Sequence, residues 1–230
     1  MTDLSERIDE RNRMVDEQLA GRGIRDPRVL AAFRRVPRHR FLPRASDSYS
    51  RAYQDAAQRI AEGQTISQPF IVALMTEALQ LTGHETVLEI GAGSGYQTAI
   101  LAELARNVVA VERHTALAQS ARRALAELGY GNVRLNVGDG SLGWPESAPY
   151  DAILVAATAP DIPPDLIAQL RPGGRLILPV GPEFGEQRLI RLTKHPDGRV
   201  STHDFGAVAF VPLIGVSGFG LPDDLGATDI

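Results

Sequence analysis

The spacing of apolar positions along the chain changes character near residue 82. Before that point the segments between turn residues carry helical periodicity. Residues 4–20 place Leu4, Ile8, Val15 and Leu19 at intervals of four and seven, which predicts one amphipathic helix closed by Gly21 and Gly23. Residues 27–35 repeat the pattern on a smaller scale, with Asp26 as N-cap and Pro27 at the first helical position. Beyond residue 82, short β-rich runs alternate with helical stretches. The runs lie at 86–90, 107–112, 132–137, 150–156 and 174–180, and the helical stretches at about 96–105, 115–128 and 163–170, the second with Thr115 as N-cap and Gly129 just past its end. Strands separated by helices of this length imply right-handed βαβ crossovers, hence an α/β fold with a doubly wound, mostly parallel sheet. Two further runs, at 187–193 and 206–212, flank the turn-like His195-Pro196-Asp197-Gly198 and predict an antiparallel edge. Residues 1–81 then form a helical N-terminal extension, 82–214 the sheet core and 215–230 a glycine-rich tail, all within one overall domain.

Length and charge narrow the function classes. The chain has 230 residues, with 24 Lys and Arg against 28 Asp and Glu, a formal net charge of −4. Its overall field therefore offers no attraction to phosphate backbones or anionic lipid. Apolar residues make up 43% and charged residues 23%, the balance of a globular chain. There is no cysteine, which removes disulfides, thiolate nucleophiles and cysteine zinc sites. The opening Met-Thr-Asp-Leu-Ser-Glu-Arg has no apolar signal region, and no apolar run approaches a membrane span, so a cytoplasmic monomer without nucleic-acid or membrane partners is the expectation.

The chemistry concentrates after the first parallel strand, in Leu88-Glu89-Ile90-Gly91-Ala92-Gly93-Ser94-Gly95. The first β-to-α turn of a doubly wound sheet sits at the carboxyl edge, where ligands bind and glycines admit close approach to backbone. A dinucleotide fingerprint needs glycine at the sixth position from Gly91, and Tyr96 stands there. A G-x-G-x-G turn preceded by Glu89 instead suits a ligand without pyrophosphate and with a cationic amino-acid tail, which describes S-adenosylmethionine. Glu112 ends the next strand, 21 residues after Gly91, where a carboxylate accepts from a ribose diol. Asp139, in Val137-Gly138-Asp139-Gly140, follows the third strand and is placed to accept from an adenine amino group. Upstream, Ser67 precedes the proline-initiated helix that starts at Pro69, where a hydroxyl and backbone N–H groups can converge on an anion or simply cap the helix.

Together with Gly63-Gln64-Thr65-Ile66-Ser67-Gln68-Pro69, the segments 87–101, 111–113, 138–140, 170–181 and 210–213 closely resemble the protein-L-isoaspartate (D-aspartate) O-methyltransferases, and Val36-Pro37-Arg38-His39-Arg40-Phe41-Leu42-Pro43 looks like that family's amino-terminal region. The resemblance covers about residues 10–214. It implies a Rossmann-like methyltransferase that moves the methyl of S-adenosyl-L-methionine to the α-carboxylate of isoaspartyl, and in some members D-aspartyl, residues of damaged proteins, starting repair through a succinimide. It makes Ser67 the active-site serine and closes Gln64, Thr65, Ile66 and Ser67 over cofactor and substrate. Glu89, Gly91, Gly93, Gly95, Glu112, Asp139 and Gly140 would line the cofactor pocket, and Val211 would offer main-chain groups to a substrate peptide. Two departures stand out: Ala56-Ala57-Gln58-Arg59-Ile60-Ala61-Glu62 replaces the apolar, proline-containing stretch usual before this lid, and the tail after Leu213 is longer and richer in glycine.

Other readings are weaker. A carboxyl methyltransferase devoted to one peptide, or a non-catalytic binding module, would share the cofactor loop. The basic stretch 34–44 lacks interleaved aromatics and reads as a solvated, salt-bridged surface rather than an RNA site. His39, His84, His114, His195 and His203 show no metal-ligand spacing, so no metal is expected.

Overall fold

A computed structural model describes residues 6–220. Leu4 and residues 221–230 of the tail lie outside the described residues. The sheet has seven strands: β3 (Thr86–Ile90), β4 (Asn107–Glu112), β5 (Val133–Val137), β6 (Tyr150–Val155), β7 (Leu170–Val180), β8 (Gln187–Lys194) and β9 (Val200–Val208). Two shorter strands, β1 (Gln58–Arg59) and β2 (Thr65–Ile66), pair antiparallel as a separate ribbon. In space the large sheet runs β5-β4-β3-β6-β7-β8-β9; the first five strands are parallel and the last two antiparallel, as the sequence predicts. The order reverses between β3 and β6, so the crevice of this doubly wound sheet opens beyond their carboxyl ends.

Both faces of the central strands are covered, and β6 is buried along its whole length. On one face a cluster that includes Val87, Ala110, Leu154 and Ile177 packs under α4 (Pro69–Ala78), α5 (Tyr96–Ala102) and α6 (Thr115–Glu127), together with α2 (Pro27–Arg35) and with Met14, Val15 and Leu19, which follow α1 (Ile8–Arg13). On the other, Leu88, Ile153 and Leu176 pack with Leu166 of α7 (Pro164–Gln169). The remaining helix, α3 (Asp47–Ser50), is one turn near the β1–β2 ribbon, tied to it by the Ser48 hydroxyl donating to the Arg59 carbonyl at 2.8 Å.

Four local expectations change. The predicted helix 4–20 becomes α1, a wide π-type segment over Met14–Leu19 and a 3₁₀ turn over Ala20–Arg22, ended by Gly23 at φ 106° with Gly21 inside that turn. The wider winding brings Met14, Val15 and Leu19 into the core together and leaves Ile8 exposed. Thr115 is the first residue of α6, and His114 holds the cap position instead. The strand expected at 206–212 runs over Val200–Val208, beginning at once after the turn at 195–198. Its last expected residues leave the sheet: Gln187 takes both main-chain groups of Phe210, while Val211 and Leu213 pair with Thr158. Fourth, the basic stretch is only in part a solvated surface. Arg34, Arg35, Arg40 and Arg44 pair with Asp16, Glu103, Glu127 and Glu6, but Arg38 and His39 are buried. Burial also drops the His39 pKa to about 4, so this ring, with Nδ1 2.8 Å from the Tyr53 hydroxyl, is neutral at pH 7.

Candidate functional site

Beyond the carboxyl ends of β3, β4 and β6 lies a cavity of about 880 Å³, including its open mouth, within the range of cofactor sites. Its floor is the turn after β3. Gly91, Gly93 and Gly95 all have positive φ, at 82°, 53° and 88°, conformations in which a Cβ is strained. The N–H groups of Gly91 and Ala92 both donate to the Val111 carbonyl, at 2.9 and 3.2 Å, and clamp the turn to β4. Gly91 and Gly93 line the cavity; Gly95 lies behind it, where a Cβ would stand 3.0 Å from the Ala121 methyl of α6. Gly95 thus lets two helices approach. Gly140 is also on the wall, and a Cβ there would overlap the Ile90 side chain.

The three strand-end acids have different surroundings. Glu112 lines the cavity, and each carboxylate oxygen accepts one main-chain N–H: Gly93 at 2.8 Å and His114 at 2.9 Å. A carboxylate has about four acceptor positions, so two remain for a diol. Glu89 sits beneath the turn rather than on the wall. It is fully buried, and neither oxygen has a hydrogen-bond partner among the described residues. Burial pushes its pKa up to about 8; the neighbouring Thr98 hydroxyl offsets part of this, and the nearby Glu112 charge adds a smaller upward push. Asp139 lines an adjoining cavity with Arg113, Gly138, Gly215 and Val216. Its Oδ1 accepts from the N–H and hydroxyl of Ser141, at 2.9 and 2.7 Å, and its Oδ2 from the Val216 N–H at 2.9 Å. These hydrogen bonds outweigh its burial and hold its pKa below the usual carboxylate range.

The lid faces this floor. Gln64, Thr65, Ile66 and Ser67 all line the cavity. The departing segment before them forms β1, which pairs Gln58 with Ile66 and Arg59 with Thr65. Ile60 then reaches over the glycine turn, since a Cβ on Gly93 would meet its Cδ1 at 3.7 Å. Glu62 approaches His114 across the mouth, at 3.8 Å. The Ser67 side chain makes no hydrogen bond among the described residues, and Gln68, not Ser67, occupies the cap position of α4. The remaining wall is the segment Phe210–Ile214. There the Val211 carbonyl accepts from the Thr158 N–H at 2.8 Å, which leaves the Val211 N–H as that residue's unengaged main-chain group.

Sequence reasoning missed several wall residues: Met75, Tyr96, Gln97, His114 and Ala156. A signal existed for Ala156, which follows a continuous apolar strand beside β3. Met75, Tyr96 and Gln97 reach the wall through helix packing, as when Gln97 Nε2 donates to the Thr76 hydroxyl at 3.0 Å between α5 and α4, and His114 follows from the turn after β4. Among the described residues no group of three or more His, Asp or Glu side chains is placed to hold a metal ion.

Comparison with known proteins agrees with this geometry. Residues 9–218 match the family described as protein-L-isoaspartate(D-aspartate) O-methyltransferase. A protein-L-isoaspartate O-methyltransferase of Rhodopseudomonas palustris is 53% identical over 215 residues, 94% of this chain and 98% of that one. One of Trichlorobacter lovleyi is 54% identical over 211 residues, covering 92% and 96%. A solved protein-L-isoaspartate O-methyltransferase superposes with TM-score 0.77 at 30% identity, over 87% of this chain and 65% of that longer one. A Plasmodium falciparum structure, solved with S-adenosyl-L-homocysteine, has the same fold at TM-score 0.76 and 24% identity. On the match across nearly its whole length, this chain belongs to the protein-L-isoaspartate (D-aspartate) O-methyltransferase family.

Proposed function

We propose that the cavity holds S-adenosylmethionine along the glycine turn and presents an isoaspartyl carboxylate to it from the lid side, where Ser67 orients that carboxylate by hydrogen bonding. Membership makes the reaction the methylation of isoaspartyl residues in proteins. The observation that carries the assignment of roles is Ser67 itself: a hydroxyl without a partner among the described residues, on the wall of the cavity that Gly91 and Gly93 also line. S-Adenosylmethionine, when bound, supplies an electrophilic methyl group on a positively charged sulfur.

The chain's own residues then have three tasks. Gly91 and Gly93 keep the floor free of Cβ atoms, and Glu112 has acceptor positions left for hydroxyls. The unpartnered Glu89 carboxyl beneath them is an orphaned acid that suits a cationic ligand. Ser67 and the Val211 N–H offer donors on the substrate side, one for a carboxylate oxygen and one for a peptide carbonyl. An α-carboxyl has a reference pKa of about 3.3–3.7 and is ionised at pH 7, so no general base is needed. What remains is alignment of the carboxylate oxygen with the methyl carbon, in a site from which the lid excludes water. Well-oriented groups reach effective molarities of about 10⁵–10⁸ M. The methyl ester formed is then open to attack by the following backbone nitrogen, expelling methanol and closing a succinimide without further help from the chain. Action as a monomer in the cytoplasm belongs to the same reading.

Ser67→Ala should lower kcat/KM on an isoaspartyl peptide by about 10- to 100-fold, the range for a hydrogen bond to a charged group, with S-adenosylhomocysteine affinity unchanged. Full retention of kcat/KM would remove Ser67 from this role. Labelled methyl transfer to paired aspartyl and isoaspartyl peptides tests the whole reading. Base-labile ester should form only on the isoaspartyl peptide, and equal labelling of both would exclude it.

A further inference from the structure

Arg38 stands out among the buried groups. Its guanidinium is fully buried, yet among the described residues no carboxylate pairs with it. Its donors go to main-chain carbonyls instead: Nε to Ala52 at 2.7 Å, and Nη2 to Ser67 at 2.8 Å and to Ile66 at 3.5 Å. Nη1 has no partner among the described residues. On its other side the guanidinium lies over the Tyr96 ring, 4.8 Å from the centroid. Tyr96 is the first residue of α5, directly after the glycine turn, and is itself on the cavity wall. Burial lowers the Arg38 pKa to about 10, which still leaves it charged at neutral pH.

Burying an unpaired cation is costly, and an apolar side chain of similar length would fill the space without that cost. The cost is met at one particular place. Two of the three carbonyls that Arg38 holds belong to the last two residues of the lid, and the aromatic ring it rests on opens the helix that follows the glycine turn. Its planar fork spans the two in a way the single ammonium of a lysine cannot.

We propose that Arg38 is a positioning residue for the methyl transfer: by gripping the Ile66 and Ser67 carbonyls from inside the core and resting on Tyr96, it fixes the lid against the glycine turn with the Ser67 hydroxyl facing the cavity. This rests on the reading of Ser67 as the group that orients the substrate carboxylate. Arg38 touches neither ligand and acts through Ser67.

The test is a double-mutant cycle of Arg38→Met and Ser67→Ala, read by kcat and KM on an isoaspartyl peptide, by S-adenosylhomocysteine affinity in calorimetry, and by thermal midpoint. In the wild-type background Arg38→Met should cut kcat/KM by about tenfold or more, the scale of a charged hydrogen bond, while cofactor-product affinity stays within about threefold. In the Ser67→Ala background the same substitution should cost less than about threefold, because no hydroxyl remains to be placed. Arg38→Lys should fall between, and it carries the same cycle if Arg38→Met does not fold. An equal loss in both backgrounds, no loss, or a loss matched by product affinity and thermal midpoint would each overturn the proposal. Full activity of Ser67→Ala alone is a different failure, since it would sink the reading of Ser67 before Arg38 is considered.

Discussion

Ser67 and Glu112 could be picked out of the sequence because each sits at a position that secondary structure dictates, a helix entry or a strand end. Arg38 could not. A basic residue in a run with four other arginines reads as surface, and only the packing of 36–53 under the lid shows that one of them turns inward. Glu89 was legible as an acid before the glycine turn, but not as an unpartnered one. Its environment has a consequence for stability. A carboxyl whose folded pKa of about 8 lies above its ordinary 4.5 binds more protons folded than unfolded, so its contribution is fully present below 4.5 and declines as pH rises toward 8. Glu89→Gln should therefore raise the thermal midpoint most at pH 8–9 and flatten its fall between pH 5 and 8. An unchanged slope would mean that Glu89 is solvated or paired.

At the scale of elements, β3, β4, β6 and β7 were readable because buried parallel strands carry continuous apolar runs and their partners are short amphipathic helices. β9 was misplaced for the opposite reason. An edge strand that reads Val-Ser-Thr-His-Asp-Phe-Gly-Ala-Val has no apolar run, and its position comes from the register against β8. The apolar stretch after it serves the cavity instead. The tail extends this wall. Gly215 donates to the Phe219 carbonyl at 3.0 Å, Ser217 donates to the Ser141 hydroxyl at 3.0 Å and to Asp165 at 3.1 Å, and Val216 reaches Asp139. A Cβ on Gly215 would overlap the Asp139 carboxylate. Gly215→Ala should thus lift the tail, free Asp139 to rotate, and weaken S-adenosylhomocysteine binding by about tenfold, the scale of one hydrogen bond to a charged group, with the fold intact by circular dichroism. Unchanged affinity would show that Asp139 does not serve the ligand.

The whole molecule brings segments from residue 64 to residue 214 to one crevice. Local pattern forecast the crevice, since the reversal of strand order follows from a parallel sheet with a glycine turn on its first strand. It did not forecast the layer closing it, which depends on long-range packing of α1, α2 and the β1–β2 ribbon. Glu89, sealed beneath that crevice, also ties the protein to the surrounding buffer. At pH 7 the unliganded molecule holds a proton there, and a positively charged ligand arriving at the glycine turn favours the ionised acid. Calorimetric heats of S-adenosylmethionine binding should accordingly differ between phosphate and Tris in proportion to their ionisation enthalpies, reporting up to one proton expelled per ligand bound. Glu89→Gln should erase the difference. Identical wild-type heats in both buffers would show that no proton leaves. With the buffer-dependent heats expected here, ligand capture in this protein is an acid-releasing event, favoured by alkalinity up to about pH 8 and indifferent to it beyond.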